Sequence, residues 1–257
     1  MSEDLEVTIL GTSGGIPIEG RAQSGVLVES KDTKILFDCG MAVPLRLKEA
    51  GVDAEEIDYI FLTHRHLDHI QDLPSLTKAA WLRNDQEKVD YTIICPKDMT
   101  DWLPGLWKSS GEFERVELNI KGIKPGIPDS YDGIKVEAFE TPHIEGSLGY
   151  VLDDGKVIYT GDSAPNENIL DLIDNTELLI HELSLNQKTD LHTDPEGIIK
   201  ILSGLKRDEI KDLVLTHFYP EVLKDLYEIQ KKIETETGIS TKIAEDLDRY
   251  KINDPVE

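Results

Sequence analysis

The chain has 257 residues, with 51 Asp and Glu against 27 Lys and Arg, a formal charge of −24, and 39% apolar residues including three Trp. That is enough apolar material for a substantial core and too much for a disordered chain. The acidity excludes a global attraction for nucleic acid or anionic lipid.

The elements read as follows in chain order. Leu5, Val7 and Ile9 alternate with polar residues, the period of a strand, and Gly11–Gly15 turns the chain. Strands are expected near Gly25–Glu29 and Lys34–Asp38, then a helix from Ala42 to Ala50. An apolar strand-like run over Ile57–Leu62 ends in His64-Arg65-His66-Leu67-Asp68-His69. A helix begins near Leu73-Pro74, a strand follows at Tyr91–Ile94, and Met99–Trp107 is a Trp-rich helical or loop stretch. Strands are then expected over Phe113–Ile120, Ile134–Phe139, Leu148–Leu152 and Lys156–Thr160. A short helix precedes a strand ending at Ile180-His181. A helix from Pro195, a strand at Asp212–Thr216, a long helix over Pro220–Thr237 and an edge strand at Gly238–Lys242 complete the chain. No apolar run approaches the roughly 18 residues of a membrane span. The acidic N-terminus is unlike a signal peptide. Cys39 and Cys95 form no disulfide framework or zinc knuckle, which fits a cytoplasmic protein.

Lys34–Gly40 and Lys156–Ser163 echo each other: each is a strand ending in an Asp beside a Gly, followed by a helix and a strand that ends at a His. Two such halves in a single domain over residues 1–257 predict a four-layer αββα sandwich of two mixed sheets flanked by helices. Ligands would then collect along one edge, at the strand ends.

The H-x-H-x-D-H stretch packs three imidazoles and a carboxylate into six residues. His64 and His66 can point the same way from an extended loop, while Asp68 and His69 lie a turn further on and can face a second metal. Imidazole with carboxylate suits zinc best among the divalent metals, without excluding iron or manganese. Of the seven histidines, His143 and His217 also follow apolar strands, and so does Asp162. The combined pattern resembles the metallo-β-lactamase superfamily from Gly11 to His217. The resemblance implies that His64, His66 and His143 hold one metal and that Asp68, His69 and His217 hold the other. Asp162 would bridge both, together with a water or hydroxide. In the diiron oxygen-reducing members the second motif His is typically Glu; here it is His66, which favours two Zn2+ and hydrolysis.

His181-Glu182-Leu183-Ser184 followed by His192-Thr193-Asp194-Pro195 resembles the His-Glu and His-Ser-Thr pair of ribonuclease Z and related phosphodiesterases. An alkoxide is a poor leaving group, and His192 could protonate it. Glu182 could orient that imidazole and keep it charged. With Asp68 these two make up the expected catalytic set. Asp194 can cap a helix opened by Pro195; the positive helix end would depress the His192 pKa, so Glu182 must offset it. His181 ends a buried strand and is expected to brace. Gly11–Gly15 lacks the Lys and Ser/Thr of a phosphate loop and is expected to be a tight turn supporting the metal edge. Asp38 could hydrogen-bond the histidine loop, with Cys39 a buried filler beside it. Trp81, Trp102 and Trp107 are expected in core or lid.

The expected function is hydrolysis of a small phosphodiester by a metal-activated hydroxide. The segment from His143 to Asp162 is too short for the tRNA-gripping arm of bacterial ribonuclease Z, which with the charge argues against tRNA. The short spacing looks more like small cyclic-phosphate phosphodiesterases of the same group, though Ile16–Gln23 lacks the cysteines of one such family's zinc insert. Alternatives are a lactonase or thioesterase, a ribonuclease Z-type endonuclease, an iron oxidoreductase of the same fold, or a non-catalytic nucleotide sensor. The long C-terminal helix is compatible with a homodimer.

Overall fold

The computed structural model of the chain describes residues 4–84, 89–109, 118–205 and 209–253. The first half runs β1 (Leu5–Gly11), β2 (Gly25–Glu29), β3 (Lys34–Phe37), α1 (Val43–Ala50), β4 (Tyr59–Phe61), α2 (Leu67–Ile70), α3 (Leu73–Arg83), β5 (Thr92–Pro96), α4 (Gly105–Lys108) and β6 (Asn119–Ile123). The second runs β7 (Asp129–Tyr131), β8 (Ile134–Glu140), β9 (Leu148–Leu152), β10 (Val157–Tyr159), β11 (Thr176–Glu182), α5 (Pro195–Leu202), β12 (Ile210–Thr216), α6 (Leu226–Thr237), β13 (Ser240–Ile243) and β14 (Arg249–Ile252).

The described strands form two seven-stranded sheets, ordered β14-β1-β2-β3-β4-β5-β6 and β13-β12-β11-β10-β9-β8-β7. In the first, β14 to β3 pair antiparallel and β3 to β6 pair parallel. In the second, β7 to β10 pair antiparallel and β10 to β13 pair parallel. The echo between Lys34–Gly40 and Lys156–Ser163 is therefore structural: β3 and β10 each stand where an antiparallel half becomes a parallel half.

Three apolar layers account for the four-layer architecture. Alternate residues such as Ile35 and Phe37 of β3 and Ile180 of β11 pack between the sheets. Leu36, on the other face of β3, joins Leu47 of α1 and Leu76 of α3. Leu179 and Leu213 join Ile198 and Ile201 of α5 and Ile233 of α6. Strands buried on both faces read as nearly continuous apolar runs. No described helix is long and apolar enough to cross a membrane.

The expected and observed elements differ in places. Residues 113–117 of the expected strand Phe113–Ile120 lie outside the described residues, and the strand observed there is β6. The helix expected from Pro220 starts only at Leu226. Before it, the Tyr219 carbonyl accepts from the Val222 N–H (3.1 Å) and Leu223–Asp225 makes a 3₁₀ turn. β7 and β14 are additional strands, paired with β8 and β1. The edge strand falls at Ser240–Ile243. Trp107 is buried with its indole N–H on Thr77, Trp81 packs against the same layer, and Trp102 is partly exposed.

Candidate metal centre

The parallel strands end along one edge, and the polar residues that stop them project there. β4 ends at Phe61, the loop carries His64 and His66, and the single turn of α2 carries Asp68 and His69. His143 follows β8, Asp162 follows β10, Glu182 ends β11, His192 precedes α5 and His217 follows β12. Asp38, Gly161 and His217 turn the chain out of β3, β10 and β12 with φ of 58°, 56° and 61°. Asp and His tolerate that left-handed conformation better than most residues. Glycine is required at 161, where a Cβ would fall 2.7 Å from Thr63 Cγ2.

Most of the histidine rings are tied on one nitrogen and bare on the other. His69 Nδ1–H donates to Asp38 Oδ2 (2.7 Å), His143 Nδ1–H to the Leu191 carbonyl (2.8 Å), His217 Nδ1–H to Ser184 Oγ (2.9 Å) and His64 Nδ1–H to Thr63 Oγ1 (2.9 Å). Thr63 in turn donates to Asp38, which also accepts from Tyr159. With Nδ1 so committed, each of these rings turns its Nε2 inward. His143 Nε2 lies 3.0 Å from His66 Nδ1, and His69 Nε2 lies 3.3 Å from His217 Nε2. Lone pairs at such distances repel unless a cation or a proton sits between them.

Asp162 lies between the two groups. Its Oδ1 is 3.2 Å from His69 Nε2 and 3.1 Å from His217 Nε2, while Oδ2 is 3.7 Å from His64 Nε2 and 3.6 Å from His143 Nε2. Asp68 Oδ2 completes the second group, 3.3 Å from His217 Nε2. His64 Nε2 and Asp162 Oδ1 are buried with no hydrogen-bond partner among the described residues, a costly state unless a ligand joins them. His64, His66, His143 and Asp162 offer ligand atoms within 4.8 Å of one another, and so do Asp68, His69 and His217. The donor set of imidazole and carboxylate fits divalent zinc. Burial, reinforced by His69, drives the His64 pKa far down and keeps its lone pair. Burial opposes ionisation of Asp68, but His217 and His69 outweigh it and hold the carboxyl at about 2.

The expected acid stands beside this cluster. Both oxygens of Glu182 take His192 Nδ1, at 3.0 and 3.1 Å, and Oε1 also accepts from the Ser163 N–H (2.6 Å). Burial lowers the His192 pKa, and the Glu182 carboxylate, joined by Asp162 and Asp68, more than reverses that, leaving it raised. These carboxylates favour the charged form. Asp194 accepts from Gly197 N–H at the start of that helix, with Pro195 in its first turn. His192 also lies within 4.8 Å of Asp162 and His217, a grouping not expected from spacing. His181 is buried with Nδ1 on the Glu182 carbonyl (2.8 Å) and belongs to none of the candidate ligand groups.

Two contributors escaped the sequence reading. Ser184 Oγ donates to Glu182 and meets the rings of both His217 and His192 (2.9 and 3.3 Å), joining the acid pair to a ligand. Ser24 Oγ lies 3.3 Å from His69 Nε2. Serines at loop positions carry no spacing signal, although Ser184 sits in the quoted His-Glu-Leu-Ser segment. Gly11–Gly15 is not the expected tight turn: Gly11 ends β1, Ser13 forms parallel bridges with Gln23 and Phe218, and the chain bends only at Gly15. The segment still lies against the site, where the Gly14 N–H donates to the Phe218 carbonyl (2.9 Å), next to His217.

Comparison with known proteins places the chain by family and fold. The profile of the family described as anti-Pycsar protein Apyc1 matches residues 5–235. Ribonuclease Z of Halorubrum lacusprofundi is 34% identical over 151 residues, 58% of this chain and 48% of that relative, so that match spans less than half of it. Ribonuclease Z of Archaeoglobus fulgidus is 26% identical over 295 residues, covering 92% of this chain and 95% of the relative. The metallo-β-lactamase fold protein YhfI from Bacillus subtilis superposes with a TM-score of 0.80 at 25% identity, covering 97% of this chain and all of that one.

Proposed function

The chain belongs to the anti-Pycsar protein Apyc1 family and is a metal-dependent hydrolase of the metallo-β-lactamase fold; from that premise we propose that it hydrolyses a small phosphodiester, with two divalent cations and His192 as general acid. His64, His66 and His143 would hold one cation, Asp68, His69 and His217 the other, and Asp162 would lie between them. Zinc suits these donors best. Bound there, the cations would supply a water acidified toward neutral pH and positive charge against the phosphate.

The protein's own side chains do the rest. Asp38 and Ser184 hold the Nδ1 atoms of His69 and His217, and the Leu191 carbonyl holds that of His143, so the inward nitrogens cannot rotate away. Glu182 fixes His192 by Nδ1 and favours its charged form, leaving Nε2–H free to protonate a leaving oxygen.

The observation that carries the phosphodiester reading is this His192–Glu182 pair. A phosphodiester with an alkoxide leaving group needs such an acid, whereas the better leaving group of a lactone or thioester does not. The ribonuclease Z relatives point to the same bond class. Two features support a small substrate: the net charge of −24, and the shortness of the stretch between His143 and Asp162, which holds one turn and the β9–β10 hairpin.

The test is a substrate panel with zinc- or manganese-loaded protein: bis(p-nitrophenyl) phosphate, cyclic phosphates, linear dinucleotides, a lactone and a thioester. Turnover confined to the phosphodiesters is expected. Turnover of only the lactone or thioester would replace this reading with an ester hydrolase, and redox-active iron without hydrolysis would replace it with an oxidoreductase.

A further inference from the structure

Tyr219 lies two residues beyond His217 and has no part in the chemistry described so far. The chain leaves β12 through the left-handed turn at His217 and buries Phe218 beneath the Arg21 guanidinium, 5.3 Å from the ring centre. Tyr219 then returns to the side that faces the histidine cluster. Its backbone is tied at both ends: its N–H donates to the Ser184 carbonyl (3.3 Å), and its carbonyl accepts from the Val222 N–H (3.1 Å). The phenol ring stands 6.0 Å from the rings of both His192 and His217, inclined at 63° to each.

The Gly14-Gly15 segment shapes the other side of this ring. A Cβ at Gly14 would fall 2.7 Å from Tyr219 Cε2 and 2.9 Å from His217 Cε1, so only glycine lets phenol and imidazole close on the segment. Gly15 is exposed, and the position its Cβ would take lies 3.1 Å from Tyr219 Oη and 3.5 Å from Asp68 Oδ2. The hydroxyl and the Asp68 carboxylate therefore border one small space at the open mouth of the cluster. Among the described residues no protein acceptor takes the phenol proton, so that proton is there to offer.

We propose that Tyr219 is a substrate-binding residue: its O–H donates to a non-bridging oxygen of the scissile phosphate while the neighbouring His192 addresses the leaving oxygen. This rests on the phosphodiester reading and adds a recognition element to it. The glycine segment thereby serves the phosphate indirectly, by holding a phenol in place.

Tyr219→Phe keeps the ring against Gly14 and His217 and removes the hydroxyl alone. Zinc-loaded wild-type and variant proteins are titrated calorimetrically with inorganic phosphate, and zinc content and melting temperature are recorded for both. The variant should bind phosphate about tenfold more weakly, the scale of one lost hydrogen bond. Zinc content and melting temperature should be unchanged, and KM for bis(p-nitrophenyl) phosphate should rise more than kcat falls. Equal phosphate affinity in the two proteins would overturn the proposal, as would a wild-type protein that binds no phosphate. A variant that loses zinc in step with phosphate would make Tyr219 a brace for His217 and overturn it too. If phosphate binding depends on the hydroxyl while no phosphodiester in the panel is turned over, Tyr219 stands as an anion ligand and the phosphodiester reading falls.

Discussion

Glu182 grips His192 Nδ1 with both carboxylate oxygens, at 3.0 and 3.1 Å, from a position where its own side chain has no exposure. The carboxylate is itself held by the Ser163 N–H and the Ser184 hydroxyl. The grip orients the ring, so that Nε2 is the nitrogen left to face the cluster, and it favours the imidazolium.

His192→Ala is therefore expected to cut kcat by about a hundredfold or more on a phosphodiester with an alkyl alkoxide leaving group. On bis(p-nitrophenyl) phosphate, whose leaving group needs no proton, the loss should be under about tenfold. Equal losses on both substrates would remove the general-acid role.

The pH profile follows from the same pair. The His192 pKa is raised above the ordinary imidazole value, so the acid stays protonated to higher pH than a free imidazole. Activity on alkoxide substrates should fall as pH rises through that value. Glu182→Gln removes the largest of the charges that offset burial, so the alkaline limb of kcat/KM should move to lower pH. An unmoved limb would show that Glu182 does not set the protonation of His192.

Much of this site can be read from the chain before folding, because a polar residue that stops an apolar strand has few reasons to be there. His64, His66, Asp68 and His69 are local in sequence, and His143, Asp162 and His217 each follow an apolar run. What sequence leaves unread depends on long-range partners. The chain at Arg249–Ile252 alternates ordinary polar and apolar residues and becomes β14 only by pairing with β1. Asp129–Tyr131 is a strand only against β8. Ser184 acquires its role when β11 and β12 set it between Glu182 and His217. α6 starts at Leu226 rather than at Pro220 because the left-handed exit at His217 must first be turned around before a helix can begin.

Asp38 is fully buried and bonds His69 Nδ1, the Thr63 N–H and the Tyr159 hydroxyl. Asparagine tolerates the same φ of 58°, so Asp38→Asn tests the charge with little backbone strain. Zinc affinity should drop about 10- to 100-fold, the usual cost of removing a group that orients a metal-binding imidazole. Competition with a chromophoric chelator measures it, and an unchanged affinity would count against His69 as a ligand.

Gly40 supports the same loop from below. A Cβ there would fall 2.0 Å from the Asp68 carbonyl oxygen, a backbone atom that cannot swing aside. Gly40→Ala should destabilise the fold by about 1–3 kcal/mol or more, read as a lower denaturant midpoint, and should loosen zinc by displacing α2. Gly105→Ala, where a Cβ meets nothing within 4 Å, is the matched control and should leave both unchanged.

The most direct test is where metal binds. Crystals loaded with zinc and measured on both sides of the zinc absorption edge should show two anomalous peaks. One should lie among His64, His66 and His143, the other among Asp68, His69 and His217, with Asp162 touching both. A map with no peak in this cleft, or with zinc held by other residues, would contradict the account.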